Sequence, residues 1–227
     1  MVNSESTSIA ALSSSFLAGL EPPAAQSILS AAWTQRVSAG HKISTEGYRA
    51  THFFLLQMGR ARFYHLTKQA DLVLLSWLVP GDVTGLVAIL KSPPPYMVTT
   101  EAMTDCDLLI WEHSVICKLA SRHPLLAENA LRIALSNLRM YLERHTGLAT
   151  KTAEERLAET LLRLSDKIGQ FHPEGIEICA TNDELSALTD ISPFTTSRVL
   201  SNWQRAGTLS KKRGRIVLRA PEALMID

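Results

Sequence analysis

Residues Thr181 to Trp203 constrain this chain more than any other stretch of it. Thr181 followed by Glu184 has the spacing of a capping box, in which each side chain reaches the other's backbone amide. Leu185 and Leu188 then share one helical face. Asp190 and Ile191 form a break, where a short polar residue tolerates a left-handed backbone. Ser192 is a good N-cap, and Pro193 falls at the first helical position, where its missing N–H costs nothing. Val199, Leu200 and Trp203 give a second helix its apolar face. Thr195, Thr196, Ser197, Arg198 and Asn202 are expected to point outward or flank that face, and Gly207 ends the helix.

Two short helices joined by a tight turn are the pattern of a helix-turn-helix that docks in a DNA groove. Charge supports this. The chain as a whole carries only +1, yet Ile191 to Pro221 contains no Asp or Glu. Arg198, Arg205, Lys211, Lys212, Arg213, Arg215 and Arg219 all fall there, a local field suited to phosphates. Lys211 to Leu218, with Gly214 at its centre, is expected to form a β-hairpin wing beside the helices. The alternative reading is a small helical domain with a solvated charged face.

At 227 residues and 46% hydrophobic content, the chain can bury one large core or two modest ones. No apolar run approaches the roughly 20 residues needed to span a bilayer. The first eight residues lack a basic stretch and an apolar core, so a frayed tail is expected rather than a secretory signal. Cys106, Cys117 and Cys179 are widely spaced, and reduced thiols in a cytoplasm are their simplest account.

Residues 9–32 look helical, interrupted at Glu21-Pro22-Pro23. Short β-rich runs follow: Trp33 to Val37, His52 to Gln57, Arg60 to Leu66, Leu72 to Leu78, Tyr96 to Ala102 and Leu108 to Trp111. Many short strands at this spacing suggest a β-roll or barrel. After Pro124 the pattern turns helical. Leu131, Leu135, Leu138, Leu142, His145 and Ala149 alternate spacings of four and three, the seam of a coiled coil between two chains. A helix packed on its own β domain is the alternative. Thr152 and Glu155 make a second capping box, so residues 147–151 are expected to act as a hinge.

The order of these parts resembles the Crp-Fnr superfamily of bacterial transcription regulators. The resemblance rests on Gly40, Glu46-Gly47, Met58-Gly-Arg-Ala61, Leu78-Val-Pro-Gly-Asp82 with Gly85, the long helix after Pro124, Arg156, and the Thr181–Arg198 motif. It implies an α+β chain: an N-terminal β-roll of the cyclic-nucleotide-binding jelly-roll kind, a long dimerisation helix and a C-terminal winged helix-turn-helix. The expected division is a flexible tail over 1–14, a sensor roll over 15–122, the dimerisation helix and hinge over 123–150, and the DNA-binding part over 151–227. The resemblance also implies a cytoplasmic homodimer on a near-palindromic operator in double-stranded DNA, with RNA polymerase a further candidate partner and no membrane association.

Cyclic-AMP-binding members of that family carry a Gly-Glu-Leu segment and, some ten residues on, an Arg-Ser pair. Here Gly85-Leu86-Val87 and Tyr96-Met97 stand in those places, so Leu86 replaces the glutamate and Tyr96 the arginine. Tyr141 and Leu142 replace a Thr-Ser pair on the long helix. A buried cyclic phosphate needs a bidentate cation or several donors, and Tyr96 offers one hydroxyl. An effector other than cyclic AMP is therefore expected, with Gly85, Leu86, Tyr96, Met97, Tyr141 and Leu142 as the pocket residues. An iron–sulfur sensor is excluded, because the first cysteine is Cys106. Haem-dependent gas sensing stays open, with His41, His52, His65 and His113 in the sensor region but no motif marking an axial ligand. No cofactor is assigned.

On the DNA side, Ser192, Pro193, Phe194, Thr195, Ser197, Arg198 and Asn202 are expected in the major groove, with Arg198 on guanine. Thr181, Lys211, Lys212 and Arg213 are expected on phosphates. The resemblance places Arg at Pro193 and Glu at Phe194 in well-known members. Phe194 cannot accept from cytosine, though it could touch a thymine methyl, so the operator should differ. Metal-spaced clusters, a GxSxG elbow and a phosphate loop are all missing from the sequence, so catalysis is not expected. A signal-binding module acting on a protein partner is a further alternative.

Overall fold

The computed structural model describes residues 11–69 and 72–224. It divides into two compact units, Met1–Arg139 and Met140–Asp227. Most of the expected tail lies outside the described residues; of its end, Ala11 and Ser14 are buried. The Ser14 hydroxyl caps a short 3-10 turn, Ser15–Leu17, and donates to the Gly81 carbonyl at 2.6 Å.

In the first unit, helix α1 (Pro22–Ser30) opens on the two prolines expected to interrupt the region. Eight strands follow: β1 (Trp33–Val37), β2 (Lys42–Ser44), β3 (His52–Met58), β4 (Ala61–Leu66), β5 (Leu72–Leu78), β6 (Val83–Thr84), β7 (Thr99–Ala102) and β8 (Cys106–Glu112). They form two four-stranded antiparallel sheets, ordered β1-β8-β3-β6 and β2-β7-β4-β5. Strand β3 buries four residues in a row, Phe53 to Leu56, because both of its faces are covered. Phe16, Phe53 and Trp111 pack together in the core, tilted or edge-to-face, with ring centroids 4.5 to 6.5 Å apart. The buried Trp111 indole donates to the Ile28 carbonyl at 2.8 Å, which ties α1 to β8.

Helix α2 (His113–Arg122) leads into α3 (Pro124–Thr150), a helix of 27 residues. Leu126 and Ala130 of α3 join the core of the first unit, and Asn129 donates to the carbonyls of Phe16 and Ala18.

The second unit holds α4 (Ala153–Ile168), the hairpin β9 (Gln170–His172) and β10 (Gly175–Ile178), α5 (Asn182–Thr189), α6 (Pro193–Arg205), and the hairpin β11 (Leu209–Lys212) and β12 (Arg215–Leu218). Its sheet runs β11-β12-β10-β9. The expected wing is β11–β12, with Gly214 at φ +70° in its turn, and it begins two residues before Lys211.

Three expectations need correction. Tyr96 does not begin a strand: β7 starts at Thr99, because the Tyr96 backbone is bonded instead to Tyr48 and Gly47. Thr196 does not point outward; it is fully buried. The segment between the two helices, expected over 147–151, is shorter than that. Helix α3 continues through Gly147 to Thr150, and the break is confined to Lys151 and the α4 cap, Thr152.

Candidate nucleic-acid interface and sensor cassette

Both expected capping boxes are present. Thr152 Oγ1 accepts from the Glu155 amide, and Glu155 accepts from the Thr152 amide at 2.6 Å. Thr181 and Glu184 repeat this arrangement, at 3.2 and 2.7 Å. The Thr181 hydroxyl also donates to Glu184 at 2.9 Å, so it is engaged within its own cap.

Asp190 closes α5 with φ +53°, the only positive φ at a non-glycine position among the described residues. Two guanidiniums hold this turn. Arg144 Nε and Nη2 lie 2.8 and 2.7 Å from Asp190 Oδ2, and Nη2 also donates to the Ala187 carbonyl at 2.8 Å. Arg156 donates to the carbonyls of Thr189 and Lys151 at 3.1 Å and of Asp190 at 3.5 Å. The carbonyls that a helix leaves orphaned at its C-terminus are thus met by positive charge. A cavity of about 440 Å³ adjoins these side chains, lined among others by Arg144, Lys151, Arg156, Arg163 and Leu188. Burial there holds the Arg163 guanidinium below its usual range.

Helix α6 begins as expected. Ser192 Oγ accepts from the Thr195 amide at 3.1 Å, and Pro193 occupies the first turn. Its inner face, Thr196, Val199, Leu200 and Trp203, is buried. The Thr196 and Ser186 hydroxyls lie 3.0 Å apart, pinning α6 to α5. Neither this contact nor the guanidinium clamps show in sequence spacing, because each joins residues that follow no shared period.

The outer face of α6 presents Ser192, Pro193, Phe194, Arg198 and Asn202 exposed, with Thr195 and Ser197 half-buried. Asn202 Oδ1 accepts from Arg205 at 2.6 Å. At the wing tip Lys212 and Arg213 are exposed and Lys211 half-buried. Two of the expected basic residues are spent elsewhere. Arg215 pairs with Glu177 at 3.2 Å and Arg219 with Glu174 at 2.8 Å, which draws the Glu174 carboxyl below its usual range.

In the first unit, Gly85 has φ +74° and starts a 3-10 turn, Leu86–Ile89. A Cβ there would come within 2.7 Å of the His52 carbonyl oxygen and 3.3 Å of the Tyr96 ring. Tyr96 is buried, and its hydroxyl is doubly committed: it donates to the His52 carbonyl at 2.9 Å and accepts from the His52 amide at 3.0 Å. Leu86 is half-buried, whereas Met97 is 71% exposed. Tyr141 and Leu142 belong to the second unit. Behind Tyr96, Thr84, Thr100 and Ser44 link their hydroxyls at 2.8 and 3.0 Å. Of the sensor-region histidines, His52 bonds Thr51, His65 bonds Glu46 and His113 bonds the Ala88 carbonyl.

On α3, Leu131, Leu135, Leu138 and Leu142 are each more than half exposed, and His145 is exposed as well.

Residues 34–123 match the family model for the cyclic nucleotide-binding domain, and residues 155–225 that for the Crp-like helix-turn-helix domain. Over 179 residues the chain is 24% identical to the fumarate and nitrate reduction regulatory protein of Vibrio cholerae, covering 78% of this chain and 70% of that one. The chain belongs to the Crp-Fnr superfamily. Among solved structures, this Crp-Fnr protein is similar to FixK2 from Bradyrhizobium japonicum, with a TM-score of 0.74 at 23% identity, covering 85% of this chain and 95% of that one. It is also similar to CLP of Xanthomonas campestris, described as a c-di-GMP responsive global regulator, with a TM-score of 0.72 at 20% identity over 87% and 99% of the two chains. Both likenesses show the fold. The chain is a Crp-Fnr-type transcription regulator with a helix-turn-helix. No helix among the described residues is long and apolar enough to cross a membrane.

Proposed function

We propose that this regulator acts as a homodimer on a near-palindromic operator, with α6 in the major groove and an effector other than cyclic AMP. The observation that carries the reading is the division of α6 into two faces. One is buried and pinned by Thr196 to Ser186; the other presents Phe194, Arg198 and Asn202 to solvent, and the wing that follows has a basic tip. A helix held on one side and open to solvent on the other is what groove docking needs. Arg198 takes guanine, Ser192, Pro193, Thr195 and Ser197 line the same groove, and Lys211, Lys212 and Arg213 follow the phosphates, while Thr181 would have to leave Glu184 to join them.

In this reading residues 15–122 sense, 123–150 dimerise and 151–227 bind DNA. Exposed Leu131, Leu135, Leu138 and Leu142, with His145, supply the dimer seam. Gly85, Leu86, Tyr96, Met97, Tyr141 and Leu142 answer to the effector region, where Tyr96 provides no charge for a cyclic phosphate. The protein works in the cytoplasm, without enzymatic activity, and RNA polymerase is a candidate protein partner.

Gel-shift selection from random DNA, followed by sequencing, tests this. A two-fold symmetric site should emerge, and Arg198→Ala should weaken it by about 1–3 kcal/mol and blur one position in each half. No enrichment, or enrichment untouched by Arg198→Ala, would refute the docking.

A further inference from the structure

We propose that Phe194 makes the tip of α6 a reader of pyrimidine 5-methyl groups, so that its first turn selects thymine or, in its place, 5-methylcytosine. This rests on the DNA-binding reading above and adds the chemical group that is read.

Phe194 is 76% exposed, the second residue of a helix whose packing is done by Thr196, Val199, Leu200 and Trp203. The fold does not need the ring where it stands. Its neighbour Pro193 is exposed too and carries no N–H. The entering end of the helix is thus hydrocarbon on two adjacent side chains. A phenyl ring can neither donate to guanine nor accept from cytosine or adenine. The hydrocarbon on the floor of the major groove is the C5 methyl of thymine, and a methyl on cytosine C5 occupies the same place.

The ring also sits one turn before Arg198, on the same face. Four residues of helix rise about 6 Å, roughly two base-pair steps. The methyl-bearing pyrimidine should therefore lie within about two pairs of the guanine that Arg198 reads.

The test uses the full-length protein and the selected operator. Each thymine of the half-site is replaced in turn by deoxyuridine, which deletes only the methyl. One position per half-site should weaken binding about fourfold, and about fifteenfold when changed in both halves. Phe194→Ala should bind the thymine and deoxyuridine operators equally, and because the ring is exposed its unfolding midpoint should match the parent's. In a third arm the same position carries cytosine or 5-methylcytosine, and methylation should strengthen binding by about the same fourfold factor. The proposal is overturned if every deoxyuridine operator binds like the parent, if Phe194→Ala still discriminates, or if cytosine and 5-methylcytosine bind alike. Those results leave DNA binding standing, whereas failure to enrich any site overturns both readings.

Discussion

Truncating Leu138 to Ala separates a leucine held for a second chain from one held for the fold. Leu138 is 52% exposed on α3, while Leu126, twelve residues earlier on the same helix, is fully buried. Leu→Ala removes three carbons, each worth about 0.8 kcal/mol when taken wholly out of water. With about half of the Leu138 side chain open to solvent in the single chain, roughly 1.2 kcal/mol per protomer is at stake in pairing. Both chains carry the change, so the dimer loses about 2.4 kcal/mol and its Kd rises about 50-fold. Sedimentation equilibrium measures this directly, and the dilute monomer should lose no more than about 1 kcal/mol, from the half of the side chain already covered in the single chain. Leu126→Ala should do the reverse, costing about 2–5 kcal/mol of fold stability through the cavity it leaves. A Leu138→Ala protein whose dimer Kd stays within about threefold of the parent refutes the seam. So does a loss of fold stability matching that of Leu126→Ala.

Calorimetric titration with cyclic AMP should give no micromolar binding, and a micromolar Kd would overturn the reading of Tyr96. Asp190→Ala should destabilise the second unit by about 1–3 kcal/mol, since it takes the carboxylate away from Arg144 and puts Ala in a left-handed turn. Asp190→Gly should lose less in urea unfolding, and equal losses would show that backbone strain is not involved. The Asp105 carboxyl is held below the usual aspartate range by the Ala39 amide and Arg36. Its contribution to stability is complete above about pH 5 and drains away as pH falls through the carboxylate range. Asp105→Asn should therefore flatten the acid side of a urea-midpoint profile, and an unchanged slope would count against the Ala39 contact.

What the sequence discloses here is whatever depends on near neighbours. The Thr152 and Thr181 capping boxes, the left-handed Asp190 and the Ser192–Pro193 start each involve residues at most three apart, so spacing identifies them. Strands β1 and β5 are long enough for their composition to show. Strands β2 and β6, three and two residues long, exist only because β7 and β3 lie alongside them. Hairpin β9–β10 hides behind Pro173 for the same reason. Thr196 misleads because a polar residue on a helix reads as exposed until its partner, Ser186, is brought against it. The clamps from Arg144 and Arg156 span 33 to 46 residues and have no local signature.

Tyr96 also bears on which substitutions this fold can accept. Its hydroxyl has become a strut that satisfies both backbone groups of His52, beside a glycine whose missing Cβ makes room for the ring. Placing an arginine at this position would not simply add a ligand-binding cation. It would remove the hydroxyl that now bridges the part-buried amide and carbonyl of His52. The site is therefore epistatic. Arginine can be tolerated at this position only once the His52 amide and carbonyl have other partners, so Tyr96 cannot be exchanged independently of its surroundings.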